Sequence, residues 1–182
     1  MNRKTLFIAA LVSAATAQFA NAASDGSINF NGELVAQTCT IAVDGVVTPA
    51  IATVTLPTAS TGNLVTPGEV AGQTGFNIQL SECVGTAKTA AAFFEAGSTV
   101  DPVSGNLHNH TGTATNVQLQ LVDVQNGNAI QAGNTNQLTN TTRNPIDASG
   151  NANMPYAVQY FATGATTPGS VVSSVTYSVD YQ

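Results

Sequence analysis

Two histidines one residue apart, His108 and His110, sit in the stretch Gly105-Asn106-Leu107-His108-Asn109-His110-Thr111. On a strand, H-x-H spacing puts both rings on one face, where they could grip a metal ion. A third ligand and a supporting set of outer hydrogen bonds are not evident, so the stretch is read as a solvated loop. The carboxylates are scattered. Asp101 and Asp123 fall near turns and read as turn formers and solubilising charges, not as an acid–base pair. There is no serine in a G-x-S-x-G elbow and no glycine-rich loop ahead of a helix. Asn109-His110-Thr111 and Asn140-Thr141-Thr142 match glycosylation sequons, a frequent chance event in an Asn- and Thr-rich chain. These residues assemble no catalytic, metal or cofactor site, and the chain is expected not to be an enzyme.

Cys39 and Cys83 are the only cysteines. Alone, two thiols so far apart make neither a metal site nor a C-x-x-C redox motif. Their chemistry depends on the compartment, and residues 1–22 bear on that. Arg3 and Lys4 give a positive start, residues 6–17 are mostly apolar, and Ala20-Asn21-Ala22 is a cleavage pattern. The apolar run is shorter than the ~20 residues needed to span a bilayer. Residues 1–22 are therefore expected to be a cleaved export signal. Export places the cysteines in an oxidising compartment and predicts one structural disulfide, Cys39–Cys83. Closing that loop contributes about 4 kcal/mol on the chain-entropy model.

Without the signal, Lys88 and Arg143 stand against ten acidic residues, for a net charge of −8. Nucleic acid and anionic lipid both need clustered Lys and Arg, so neither is an expected partner. The remaining 160 residues suffice for one domain with a proper core.

The elements that carry these residues read as short strands. Residues 26–34 alternate with period two, placing Gly26, Ile28, Phe30, Gly32 and Leu34 on one side. A glycine in that apolar row is unusual for a core strand. Strands are also predicted at 40–43 and 51–56, broken by Asp44-Gly45 and Pro49. Another is predicted at 75–80, with Phe76, Ile78 and Leu80 inward. Residues 58–72 read as a polar loop. Residues 89–96 fit helix or buried strand on periodicity, and the surrounding pattern favours strand. Val117, Leu119 and Leu121 alternate, and Gly127-Asn128 turns the chain into Ala129-Ile130. Residues 134–153 are expected to be exposed loop with one edge strand. Tyr156, Val158 and Tyr160 alternate, and residues 171–181 put Val171, Ser173, Val175, Tyr177, Val179 and Tyr181 on one face. Many short strands without an amphipathic helix imply an antiparallel sandwich.

Several stretches together resemble the major pilin subunits of chaperone–usher fimbriae, the type 1 fimbrial pilin family. They are Phe30-Asn31-Gly32-Glu33-Leu34-Val35 leading to Cys39, Gly75-Phe76-Asn77-Ile78-Gln79-Leu80 leading to Cys83, and Ala114-Thr115-Asn116-Val117. Near the end come Tyr160-Phe161-Ala162-Thr163-Gly164-Ala165-Thr166-Thr167-Pro168-Gly169 and Val175-Thr176-Tyr177-Ser178-Val179-Asp180-Tyr181-Gln182. The resemblance implies an all-β, immunoglobulin-like antiparallel sandwich that lacks its final strand and is completed by a donor strand from a neighbouring subunit. It implies a signal at 1–22, a donor strand at 23–36 carrying Ile28, Phe30, Gly32 and Leu34, and an incomplete domain at 37–182. The acceptor groove, also the chaperone-facing edge, would include Val175, Tyr177, Val179 and Tyr181.

On this resemblance the chain is a structural subunit of a bacterial surface fimbria. It would polymerise head-to-tail with identical subunits and support cell adhesion. A periplasmic pilus chaperone and an outer-membrane usher would be its other partners on the way to the cell surface. Two alternatives stand beside it: a minor or adaptor pilin, and a self-contained secreted sandwich that binds carbohydrate. The second would need exposed aromatics, and the chain has no Trp.

Overall fold

Asp44 and Gly45 adopt left-handed backbone angles, φ 47° and 80°, which is what a two-residue hairpin needs to match strand twist. They join β1 (Thr38–Val43) to β2 (Val46–Val47), with Val43 opposite Val46. This computed structural model describes Asn29, Leu34 and residues 36–182. The expected export segment and the expected donor positions Ile28, Phe30 and Gly32 lie outside the described residues, while Leu34 is fully exposed.

Residues 51–56 depart from the sequence expectation. Ala52, Val54 and Leu56 are half-buried while Ile51, Thr53 and Thr55 are exposed, so the period-two pattern is present. Among the described residues, however, the segment joins no sheet. Alternation fixes which face turns inward, but a strand also needs a neighbouring edge to bond to. The 58–72 loop is shorter than expected, because its last three residues already belong to β3 (Val70–Val84). In β3, Phe76, Ile78 and Leu80 are buried at 8%, 0% and 2% exposure, as the alternation predicts.

The ambiguous 89–96 stretch is a strand, β4 (Thr89–Phe94). The histidine stretch is not simply a solvated loop. Asn106 and Leu107 are buried, and β5 (Leu107–His108) pairs with β6 (Val117–Asp123), leaving both imidazoles exposed. Gly127, at φ 76°, turns β6 into β7 (Ala129–Ile130). The 134–153 region also differs from an exposed loop. It holds a helical turn, α1 (Gln137–Asn140), and a two-residue strand, β8 (Asn144–Pro145), and it buries Gln137, Thr141 and Asn144. Polar composition misleads there because the Gln137 and Asn144 side chains are buried with hydrogen bonds, not left to solvent. The chain closes with β9 (Ala152–Ala162) and β10 (Tyr177–Tyr181).

Two antiparallel sheets result. One has the order β2-β1-β3-β9-β6-β5 with β7 also on β6, and the other has the order β10-β4-β8. Inward side chains of β3, β6 and β9 meet Ala90, Ala92 and Phe94 of β4 in one core. Phe94 makes edge-on contacts with Phe76 and Tyr156, at centroid distances of 6.5 and 5.3 Å. Such pairs add to the burial of their area. The Tyr156 hydroxyl crosses between the sheets and accepts from the Ala92 N–H at 2.9 Å.

Cys39 and Cys83 are bonded, as expected. The bond staples neighbouring strands of one sheet. Thr38 pairs with Val84 and Thr40 with Ser81, so Cys39 faces both Glu82 and Cys83 across a β-bulge. Glu82 takes a positive φ of 54° there, and its carboxylate accepts from the Thr40 hydroxyl at 3.0 Å.

Candidate functional site

Residues 171–181 run extended to the C-terminus, and their side chains alternate as the sequence predicts. Val171, Ser173, Val175, Tyr177, Val179 and Tyr181 are half-buried. All but Ser173 pack against the core. Only Tyr177–Tyr181 is a paired strand, opposite β4, with Tyr177 facing Phe94 and Tyr181 facing Ala90. Before it, hydrogen bonds to loops hold the segment instead.

Those bonds all leave from even-numbered residues. The Val172 N–H donates to Asn109 Oδ1 at 2.8 Å. Its carbonyl accepts from the His110 N–H at 2.9 Å. The Ser174 carbonyl accepts from Thr99 Oγ1, and the Thr176 carbonyl from the Glu95 N–H. At the far end Gln182 exchanges bonds with Thr89, and its oxygen also accepts from the Lys88 N–H at 2.6 Å. Antiparallel register carries this parity through Ser178 and Asp180.

The odd-numbered residues direct their backbone groups the other way. Among the described residues, nothing meets the N–H and C=O groups of Val171, Ser173, Val175, Tyr177, Val179 and Tyr181 on that side. Two side-chain atoms share this condition. Ser173 Oγ and Tyr177 Oη are buried without a hydrogen-bond partner among the described residues. Burial pushes the phenols of Tyr177 and Tyr181 above their ordinary pKa. The arrangement is half of a β-ladder with an apolar row beneath it, and what it can do is accept another strand.

Several residues that the sequence reading passed over position this edge. Asn109, singled out only as a sequon, spends its amide on the Ser170 and Ala114 carbonyls and accepts from Gly112 and Val172. Arg143 reaches Thr89 Oγ1, the Asp180 carboxylate and the Asp180 carbonyl, and so clamps the end of β10. No local signal marks Arg143 for this, since Asp180 is 37 positions away.

The two aspartates behave differently from one another. Asp101 caps its turn by accepting from Val103 and Ser104, and it also accepts from Gln118 Nε2. Those bonds, the Val103 N–H foremost, hold its carboxyl below the usual range. Asp123 is 1% exposed and so is not a solubilising charge. It accepts from the N–H groups of Gln125 and Thr142, tying the β6–β7 turn to the segment before β8. All four tyrosines, Tyr156, Tyr160, Tyr177 and Tyr181, are buried or half-buried against the core.

The family model described as FimA, type-1 fimbrial protein, A, matches residues 56–182. The chain belongs to this family. It is 43% identical over 173 residues to the major fimbrial subunit SMF-1 of Stenotrophomonas maltophilia, covering 92% of this chain and 98% of that one. It is 37% identical to an F17 fimbrial protein of Escherichia coli, with 99% of each chain covered. With the type-1 fimbrial protein A chain of Escherichia coli K12 it shares 32% identity, and 100% of each is covered. Among solved structures, the P pilus rod subunit PapA superimposes with a TM-score of 0.57 at 15% identity, covering 79% of this chain and 99% of that one. That likeness bears on the fold, an immunoglobulin-like sandwich. As a type-1 fimbrial protein, the chain is a structural subunit of a cell-surface fimbria.

Proposed function

We propose that residues 171–181 are the acceptor edge of a head-to-tail polymer, and that residues 23–36 of the next subunit are the strand it accepts. The observation that carries this reading is the one-sided bonding of that segment, with six consecutive odd-numbered residues offering a ladder to no described partner. Strand addition to an exposed edge is a general recognition mode, and pilin complementation is itself a standard instance of it. Backbone bonds give affinity there, and pockets for alternate side chains give specificity.

Ile28, Phe30 and Leu34 fill the apolar row in this scheme. Each buried side chain contributes roughly 1.5–3 kcal/mol, about 5–9 in total as an upper figure. Ladder hydrogen bonds add about 1 kcal/mol each. The donor leaves one molecule and the acceptor edge belongs to another, so the contact is heterologous and does not close on itself. Such a contact extends into a filament.

Before assembly the same edge needs cover, because an exposed apolar edge aggregates. A periplasmic chaperone lending its own strand to Val175, Tyr177, Val179 and Tyr181 would supply it, and an outer-membrane usher would exchange that strand for the donor. The subunit then serves in the fimbrial rod and supports adhesion. A minor-subunit role has one observation in its favour. The minor fimbrial subunit HifD of Haemophilus influenzae is 32% identical over 87% of this chain.

The decisive comparison uses residues 23–182, the same chain without residues 23–35, and that deletion with residues 24–34 appended after Gln182 through a flexible linker. The first is expected to polymerise or aggregate, the second to be unstable and the third to be a stable monomer. A deletion variant that folds by itself into a stable monomer overturns the incomplete-domain reading.

A further inference from the structure

Strand β4 is the middle of its sheet for only part of its length. β10 covers one side from Ala90 to Phe94, while β8 reaches only Thr89 and Ala90 on the other. Beyond Ala90 the second side of β4 lacks a strand neighbour, yet of the Ala92 and Phe94 groups there all but the Ala92 carbonyl meet a described partner. The Ala92 N–H donates to the Tyr156 hydroxyl at 2.9 Å. The Phe94 N–H donates to Gln137 Oε1 at 2.9 Å, and Gln137 Nε2 donates back to the Phe94 carbonyl at 3.0 Å. The Gly133 N–H donates to that same carbonyl at 2.8 Å.

Gln137 therefore does with one side-chain amide what a residue of a paired strand does with its backbone. Gln137, Phe94 and Tyr156 are 3%, 1% and 1% exposed, so these bonds are kept from water. Gln137 is also held by its own turn, where Nε2 reaches the Asn134 carbonyl at 3.1 Å. One sheet thus carries two unlike edges: one with its outward groups unmet by any described residue, the other closed by a carboxamide and a phenol.

We propose that Gln137 and Tyr156 seal the far edge of β4, so that an incoming strand of a second copy can add to this sheet only beside β10. This rests on the strand-addition reading above and gives it direction. A chain with two receptive edges would take two donors and branch, whereas one receptive edge gives an unbranched filament. A hydrophobic residue at position 137 could fill the same volume. It could not satisfy both groups of Phe94.

The test uses fimbriae isolated from cells producing the full chain, its Gln137→Ala variant or its Tyr156→Phe variant. The probe is a fluorescent peptide of residues 24–34, and hydrogen exchange over residues 90–95 is read alongside. Wild-type filaments should take up peptide only at their ends, far below one per subunit. Gln137→Ala filaments should take up at least tenfold more, along their sides, with exchange at Phe94 at least tenfold faster. Tyr156→Phe keeps the ring and loses only the bond to Ala92, so it should raise exchange at Ala92 with a smaller gain in uptake. Variant filaments with wild-type uptake overturn the proposal. So does failure of both variants to give filaments, since the two residues would then serve folding and not the choice of edge. A failed donor-appended monomer in the previous experiment would instead remove the β10 reading, whatever the lateral uptake.

Discussion

At the residue scale, the tyrosines do more than fill space. The Tyr156 hydroxyl lies between the sheets, and burial there pushes its pKa up to about 12, with the nearby Asp123 carboxylate adding to the rise. Tyr177 and Tyr181 are raised by burial alone. In each case the folded chain favours the neutral phenol over the phenolate. The unfolded value is near 10, so this contribution is fully present below about pH 10. It is lost as pH climbs through the folded values, about 12 for Tyr156. Urea unfolding of the donor-appended monomer should therefore give a midpoint insensitive to these groups below about pH 10 and falling steadily above it. Tyrosinate absorbance should lag behind that of free tyrosine until the fold opens. A phenol titration coincident with free tyrosine while the protein stays folded would contradict this account.

At the element scale, Arg143 connects the segment before β8 to the far side of the sheet. Its guanidinium meets Thr89 on β4 and Asp180 on β10, with the two charged side chains 18% and 30% exposed. Partly exposed pairs of this kind contribute up to about 1 kcal/mol, and the bond to the Asp180 carbonyl adds a comparable amount. Arg143→Gln is expected to cost about 1–2 kcal/mol in the donor-appended monomer and to speed amide exchange at residues 180–182. An unchanged unfolding midpoint and unchanged exchange would show that β10 does not depend on the clamp. The sequence made β10 legible but not its clamp, and the reason is physical. Alternation along one strand is local, so Phe76, Ile78 and Leu80, or Val175 to Tyr181, reveal their faces unaided. Arg143 with Asp180, Gln137 with the backbone of Phe94 and Asp123 with the backbone of Thr142 are pairings between distant positions, made by polar side chains that look alike in composition. Residues 51–56 show the complementary limit. Their alternation was readable, but whether an edge lay beside them was not.

At the scale of the whole molecule, the question is how the proposed donor, with a glycine in its apolar row, would fit a groove that includes two tyrosines. The proposed acceptor row is Val171, Ser173, Val175, Tyr177, Val179 and Tyr181, and its two tyrosines are its bulkiest members. The expected donor row is Ile28, Phe30, Gly32 and Leu34, with the same two-residue pitch. Where a donor residue meets the bulk of the groove, a missing side chain lets the backbones reach bonding distance. A side chain forced into that place overpacks the joint, which typically costs 1–3 kcal/mol, or roughly a 5- to 150-fold loss in the equilibrium for addition. Gly32→Asn should therefore reduce filament yield and length by that order. It should leave capture by a periplasmic chaperone intact, because in the proposed scheme the chaperone would bring its own strand to the same edge. The two readouts separate the donor from the acceptor: a folding defect would lower both, whereas a misfit of the donor lowers only assembly. Filaments of normal length and yield from Gly32→Asn would deny Gly32 this role. The assignment of the acceptor edge would then rest on the one-sided hydrogen bonding of residues 171–181 alone.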